Sequence, residues 1–174
     1  MKLPLFFFLF SLLLISAVSA VGLSPPYYKL DYTAGAQHTL DFNVRNNAGK
    51  EQVVSINMRG ALTEYATLSD QQLTIDKNGF GQFTIELDLP ATPDDLVPGR
   101  QEIEIFVQEV SASGGGMSAA TGVIGSIYIY IPYPGRYAQI TSFGVESRNE
   151  GEDTPVTFSI INRGREDLAD TKAT

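Results

Sequence analysis

The chain has 174 residues, with 20 acidic against 12 basic side chains and a formal net charge of −8. It carries no basic surplus to release counterions from a phosphate backbone, so nucleic acid is an unsuitable partner. There is no cysteine and only one histidine. That excludes disulfides, thiolate chemistry, cysteine-based zinc or iron–sulfur sites and any cluster of several imidazoles. No cofactor and no metal site is expected.

Residues 1–20 read as a secretory signal peptide. Met1-Lys2 is a short positive start, Leu3 to Ile15 is almost wholly apolar, and Ser16-Ala17-Val18-Ser19-Ala20 is a small-residue end. The apolar run is short for a membrane span, which needs roughly 20 residues. Cleavage after Ala20 would leave a mature chain from Val21. Export without cysteine fits a bacterial or archaeal envelope, and the expected location is secreted or at the cell envelope.

Beyond Val21 the sequence alternates in steps of two, the period of a strand buried on one face. His38, Leu40, Phe42 and Val44 share one face, and Asn46-Asn47-Ala48-Gly49 supplies a turn. Val54, Ile56 and Met58 alternate with Ser55 and Asn57. Leu73 and Ile75 precede Asn78-Gly79, a tight-turn pair. Phe83, Ile85, Leu87 and Leu89 form the next apolar face, then Ile103, Ile105 and Val107, then Val123, Gly125, Ile127, Ile129 and Ile131. No window predicts a helix. Short strands separated by turns predict an all-β, immunoglobulin-like antiparallel β-sandwich over residues 21–131. Residues 90–100 make its longest polar corner, and 111–122 a flexible loop.

Pro132-Tyr133-Pro134-Gly135 is a short, stiff linker over 132–135. After it a second copy begins. Gly35, Leu40, Phe42, Val44 and Asn46 recur as Gly151, Val156, Phe158, Ile160 and Asn162, each 116 residues on. Residues 136–174 therefore read as an incomplete second sandwich. An isolated small sheet cannot bury its apolar face, so Phe143, Val145, Phe158 and Ile160 are expected to be less enclosed than their counterparts. The chain reads as the N-terminal piece of a longer protein, and a membrane link would come only through an anchor beyond Thr174.

Chemistry-bearing patterns are sparse. A nucleophilic triad needs a base beside its nucleophile, and His38 is placed at the start of a strand, where it reads as a rim or capping residue. Glu86, Asp88, Glu102 and Glu104 fall on outward faces, where carboxylates are solvated. Asp94 and Asp95 sit in the long corner and read as turn caps rather than calcium ligands. Gly114-Gly115-Gly116 lacks the Gly-Lys-Ser/Thr of a phosphate loop. The chain is expected not to be an enzyme. Tyrosine is the feature that points to binding. Tyr128 and Tyr130 share the face opposite Ile127, Ile129 and Ile131, and Tyr133 and Tyr137 follow in and after the linker. Such rings stack on sugars, anchor a protein partner, or pack at a junction between domains. Tyr27 and Tyr28 are a weaker second cluster.

Ser24-Pro25-Pro26, then Leu30-Asp31-Tyr32-x-x-Gly35, then Leu40-x-Phe42-x-Val44-x-Asn46, resembles the opening of secreted immunoglobulin-like modules of prokaryotic envelopes. These include the CARDB-like repeats of archaeal surface proteins and the N-terminal domain of WxL-interacting proteins. Gly135-x-Tyr137 and Asn162-x-Gly164 are similar to the second domain of the CARDB type. The resemblance implies a non-enzymatic extracellular or cell-surface scaffold or adhesion module whose partner is a protein or glycan at the envelope. It carries no catalytic residue. The competing readings are a carbohydrate- or cell-wall-binding module using the tyrosines, and an accessory domain of a longer secreted hydrolase.

Overall fold

The computed structural model describes residues 21–110 and 121–168. The signal-peptide reading, most of the loop expected at 111–122 and the last six positions fall outside the described residues.

The chain enters as β1 (Val21–Ser24), breaks at Pro25-Pro26, and resumes as β2 (Tyr27–Asp31). Proline has no N–H to give to a ladder, and here the chain changes sheets: β1 pairs antiparallel with β3 (Gln37–Asn46), whereas β2 pairs parallel with β9 (Gly122–Ile131). β4 (Gln52–Gly60) leads through a 3₁₀ turn at Thr63–Tyr65 to β5 (Ala66–Leu68) and β6 (Gln72–Ile75). β7 (Phe80–Asp88) and β8 (Gly99–Glu109) complete the set. One sheet has the order β1-β3-β7-β5 and the other β2-β9-β8-β4-β6. This is an immunoglobulin-like β-sandwich, as the alternation predicted.

The alternating faces close on one another. Leu40, Phe42 and Val44 of β3 and Phe83, Ile85 and Leu87 of β7 are buried against Ile103, Ile105 and Val107 of β8 and Ile127, Ile129 and Ile131 of β9. Phe42 and Phe83 lie opposite each other in register, with ring centroids 5.2 Å apart and planes 9° from parallel. At roughly 1.5–3 kcal/mol for each fully buried side chain of this size, the cluster is the main source of the sandwich's stability, in a chain without disulfides. The Asp76–Gly79 turn closes as expected, with Asn78 at φ 56° and the Gly79 N–H donating to Asp76 O.

Three strands were not foreseen. β1 and β2 are short and broken by prolines, and β5 has three residues without a clear alternation. Gly125 sits on the inward face of β9 because β1 crosses there. A Cβ on Gly125 would lie 2.6 Å from Leu23 Cδ2.

After β9 the chain forms a hairpin of β10 (Ala138–Val145) and β11 (Val156–Asn162), a separate two-stranded sheet. A bulge near Thr141 keeps the pairs Ile140↔Ile160, Phe143↔Phe158 and Val145↔Val156 on one side. That side is open. Phe143 is 68% and Phe158 42% exposed, against 0% for Phe42, the counterpart of Phe158.

Candidate functional site

The outer face of the five-stranded sheet carries the tyrosines. β9 buries Ile127, Ile129 and Ile131, so Tyr128 and Tyr130 point away from the core. The four candidate tyrosines divide into two groups. Tyr128 belongs with Tyr27, whose ring lies 6.2 Å away and tilted by 53°. Lys29 Nζ sits 5.3 Å over the Tyr27 ring and the Arg100 guanidinium 5.0 Å over Tyr128. This is a half-open aromatic patch with a cationic rim.

Tyr130, Tyr133 and Tyr137 instead line a cleft of about 460 Å³ between the sandwich and the hairpin. Tyr133 and Tyr137 stack with centroids 4.0 Å apart. Gly99 has φ 99° and no Cβ, and a side chain there would meet the Tyr133 hydroxyl at 2.8 Å. Asp31 on β2 and Arg100 on β8 flank Tyr130 from the two neighbouring strands.

The cleft is a joint. The Arg163 guanidinium lies 4.2 Å over the Tyr130 ring while its Nη1 pairs with Asp31 at 3.3 Å. Its Nε also donates to Gln139 Oε1. Arg165 pairs with Asp94 at 2.6 Å, which gives that corner aspartate a partner in place of the expected turn cap. The linker is fastened as well. Tyr133 N–H donates to Arg163 O, Arg165 N–H to Tyr133 O, Arg163 N–H to Tyr137 O, and Glu166 N–H to Gly135 O. Gly164 permits this approach, because a Cβ on it would overlap the Gly135 carbonyl and the Tyr137 amide. Beside the joint, Tyr32 donates its phenol proton to Pro90 O at 2.6 Å, and desolvation pushes its pKa above the usual value.

Stacked phenols, guanidinium groups over rings and paired carboxylates hold surfaces together or grip planar and polyhydroxylated ligands. Elsewhere Glu102 accepts the Ser126 hydroxyl proton and Glu104 pairs with Arg59. His38 is half-buried, with Nε2 enclosed and without a hydrogen-bond partner. The sequence reading found the tyrosines but missed Arg163, Arg165, Asp31 and Arg100. Arg163 lies 116 residues after Asn47, so the change from asparagine to arginine at the matched spacing was the available signal.

No family model matches the chain, and no curated protein matches it. Solved structures do. The ASH/PapD-like domain 7 of human CEP192 is similar at a TM-score of 0.52 and 10% identity, over 68% of this chain and 89% of that one. A family 123 glycoside hydrolase from Clostridium perfringens is similar at 0.51 and 9% identity, over 66% of this chain but 27% of the hydrolase. The periplasmic chaperone SfaE matches at 0.48 and 11% identity, over 64% of this chain and 58% of the chaperone, so this chain spans less than two thirds of it. At these identities the likeness of the CEP192 and hydrolase domains shows the fold alone: an immunoglobulin-like β-sandwich.

Proposed function

We propose that the protein is a non-enzymatic scaffold of the cell envelope, exported through residues 1–20 and built from immunoglobulin-like modules of the CARDB-like type set at a fixed angle. The observation that carries this reading is the joint: Arg163 spans Tyr130 and Asp31 while the 132–135 linker is hydrogen-bonded to the end of β11. An array that holds its modules at set angles transmits position and load, which is a structural task. The test is solution scattering with residual dipolar couplings on the full chain and on its Arg163→Ala/Arg165→Ala variant. The reading expects one hairpin orientation in the parent and a broadened one in the variant. An orientation already broad in the parent sinks it. Export is checked separately by mass spectrometry after expression in a secreting host, with a mature end at Val21 expected.

The aromatic patch of Tyr27 and Tyr128, rimmed by Lys29 and Arg100, supports a second reading, a glycan- or wall-binding module. Pull-down on insoluble polysaccharides and wall fragments separates the two. Retention lost on Tyr128→Ala and kept in a joint variant favours binding at the patch; no retention favours the scaffold.

A further inference from the structure

The cations of this chain are unevenly spent. Ten of its twelve lysines and arginines lie among the described residues, and six of them pair with carboxylates. In a chain with 20 acidic side chains, Lys29, Arg45, Lys77 and Arg100 have no carboxylate partner among the described residues. Arg45 covers Phe80 on the other sheet, and Lys77 sits in the Asp76–Gly79 turn. Lys29 and Arg100 stand together, one on each side of β9. Lys29 on β2 is directly opposite Tyr128, and Arg100 on β8 is opposite Tyr130.

The carboxylates on the outer side of these three strands have other partners. Asp31 pairs with Arg163, Glu104 with Arg59, and Glu102 accepts the Ser126 hydroxyl proton. Lys29 and Arg100, both exposed, lie over rings instead, on Tyr27 and Tyr128. A ring face attracts a cation without taking up its N–H donors one by one. The phenols beside them are also unspent. Tyr28 and Tyr32 donate their hydroxyl protons to Asp41 O and Pro90 O, whereas the Tyr27 and Tyr128 hydroxyls have no partner among the described residues. Tyr130 stands apart, because Arg163 covers its ring.

We infer that this patch takes an acidic polysaccharide, with uronate carboxylates on Arg100 and Lys29 and sugar rings against Tyr27 and Tyr128. The inference rests on the glycan-binding reading of the patch and narrows it to polymers that carry carboxylates. A neutral glycan laid on these rings strips water from an ammonium and a guanidinium and supplies no counter-charge. A carboxylate removes that cost, and the guanidinium fork matches its two oxygens. Aromatic side chains supply the apolar surface on which a sugar ring stacks. The chain's net charge of −8 does not oppose this. At about 0.1 M salt, exposed charges more than about 10 Å away are largely screened, so the sign of the patch itself decides. β2 is an edge strand of its sheet, so a long polymer runs off the platform on that side without meeting another strand. Every residue of the patch belongs to the first sandwich.

The experiment titrates the full chain calorimetrically, in about 0.1 M salt, with polygalacturonate, alginate, fully methyl-esterified polygalacturonate and poly-L-glutamate. At least one of the two uronate polymers is expected to bind, and the ester and the polypeptide to bind at least about tenfold more weakly. Arg100→Gln, Lys29→Gln and Tyr27→Ala should each weaken uronate binding by about fivefold or more. All three side chains are exposed, so the fold is kept. Lys77→Gln removes the same charge beyond β6, at the opposite edge of the sheet, and should change binding by less than about twofold. An ester that binds as well as the acid overturns the acidic assignment and leaves the glycan reading standing. Poly-L-glutamate binding as tightly as uronate, or a Lys77→Gln loss equal to that of Arg100→Gln, reduces the attraction to bare charge and also overturns it. Failure of every polysaccharide to bind, the ester included, removes the glycan reading together with the inference.

Discussion

Asn46 and Asn162 make the same two side-chain hydrogen bonds to their own loops. Asn46 Oδ1 accepts the Ala48 N–H at 2.7 Å and Asn162 Oδ1 the Gly164 N–H at 2.9 Å. Asn46 Nδ2 donates to Lys50 O and Asn162 Nδ2 to Glu166 O, each at 2.9 Å. In both, the side chain stands in for a backbone turn and ends a strand. The two asparagines, 116 residues apart, thus share their hydrogen bonds as well as their place at the end of a strand. The two differ in what lies beyond the loop. Asn46 also reaches Ile75 O and Asp76 O at the end of β6 and is 1% exposed.

That difference sets unequal costs. Asn46→Ala leaves several enclosed backbone groups without partners, each costing roughly 1–3 kcal/mol. Allowing for partial relaxation, a loss of about 2–4 kcal/mol is expected in the main unfolding transition. Asn162→Ala removes hydrogen bonds exposed to water and should cost under about 1 kcal/mol. Denaturant titration compares them. Equal losses would mean that the reach to β6 contributes nothing.

The alternation of Leu40, Phe42 and Val44 and its repeats made the sandwich legible, because a face buried between two sheets leaves a period of two in any sequence. The sheet change at Pro25-Pro26 was not legible, since it depends on which ladders lie within reach of four- and five-residue strands. The joint was half legible. Tyr130, Tyr133 and Tyr137 stood out as rings without a core position, but their partners Arg163 and Asp31 lie 132 residues apart and meet only through the tertiary path of the chain. Ion pairs between distant stretches of the chain leave no local periodicity.

Gly125 offers a test of that sheet change. Gly125→Ala drives a methyl group against Leu23 Cδ2 on β1. A misplaced methyl in a packed core typically costs about 1–3 kcal/mol. Leu23→Ala in the same chain removes the obstacle, so the double variant should be more stable than the sum of the single losses predicts, by about 0.5 kcal/mol or more. Thermal unfolding of the four proteins measures it, and strict additivity would mean that β1 does not cross Gly125.

Tyr32 gives an alkaline signature. Its pKa is raised, chiefly by desolvation and against the opposing charge of Arg165. A raised folded-state value means that stability is full below the ordinary phenol range, near pH 10, and is lost as pH climbs through the folded value. The phenolate cannot donate to Pro90 O, so the hydrogen bond goes with the proton. Tyr32→Phe should cost about 1 kcal/mol at neutral pH and flatten the alkaline fall. Denaturation midpoints from neutral pH to above pH 10 for both proteins check this. An unchanged slope in the variant assigns the fall to other groups.

Gly164→Ala addresses the joint from the backbone side. The added Cβ has no room between the Gly135 carbonyl and the Tyr137 amide, and the atoms in its way are main chain and cannot swing aside. The linker must then lift from the end of β11. The reciprocal bonds of Tyr133 with Arg163 and Arg165 break, and the Arg163 guanidinium leaves the Tyr130 ring. The atoms nearest the added methyl group are main chain of residues 135–137, outside the strands of the sandwich, so its global stability should stay within about 0.5 kcal/mol of the parent. Amide exchange at Tyr133, Arg163 and Arg165 should instead accelerate about tenfold or more, the signature of a local opening made roughly 1.4 kcal/mol easier. If exchange at those amides is unchanged while the core loosens, the strain has been absorbed by the sandwich and the hairpin is not an independently detachable unit.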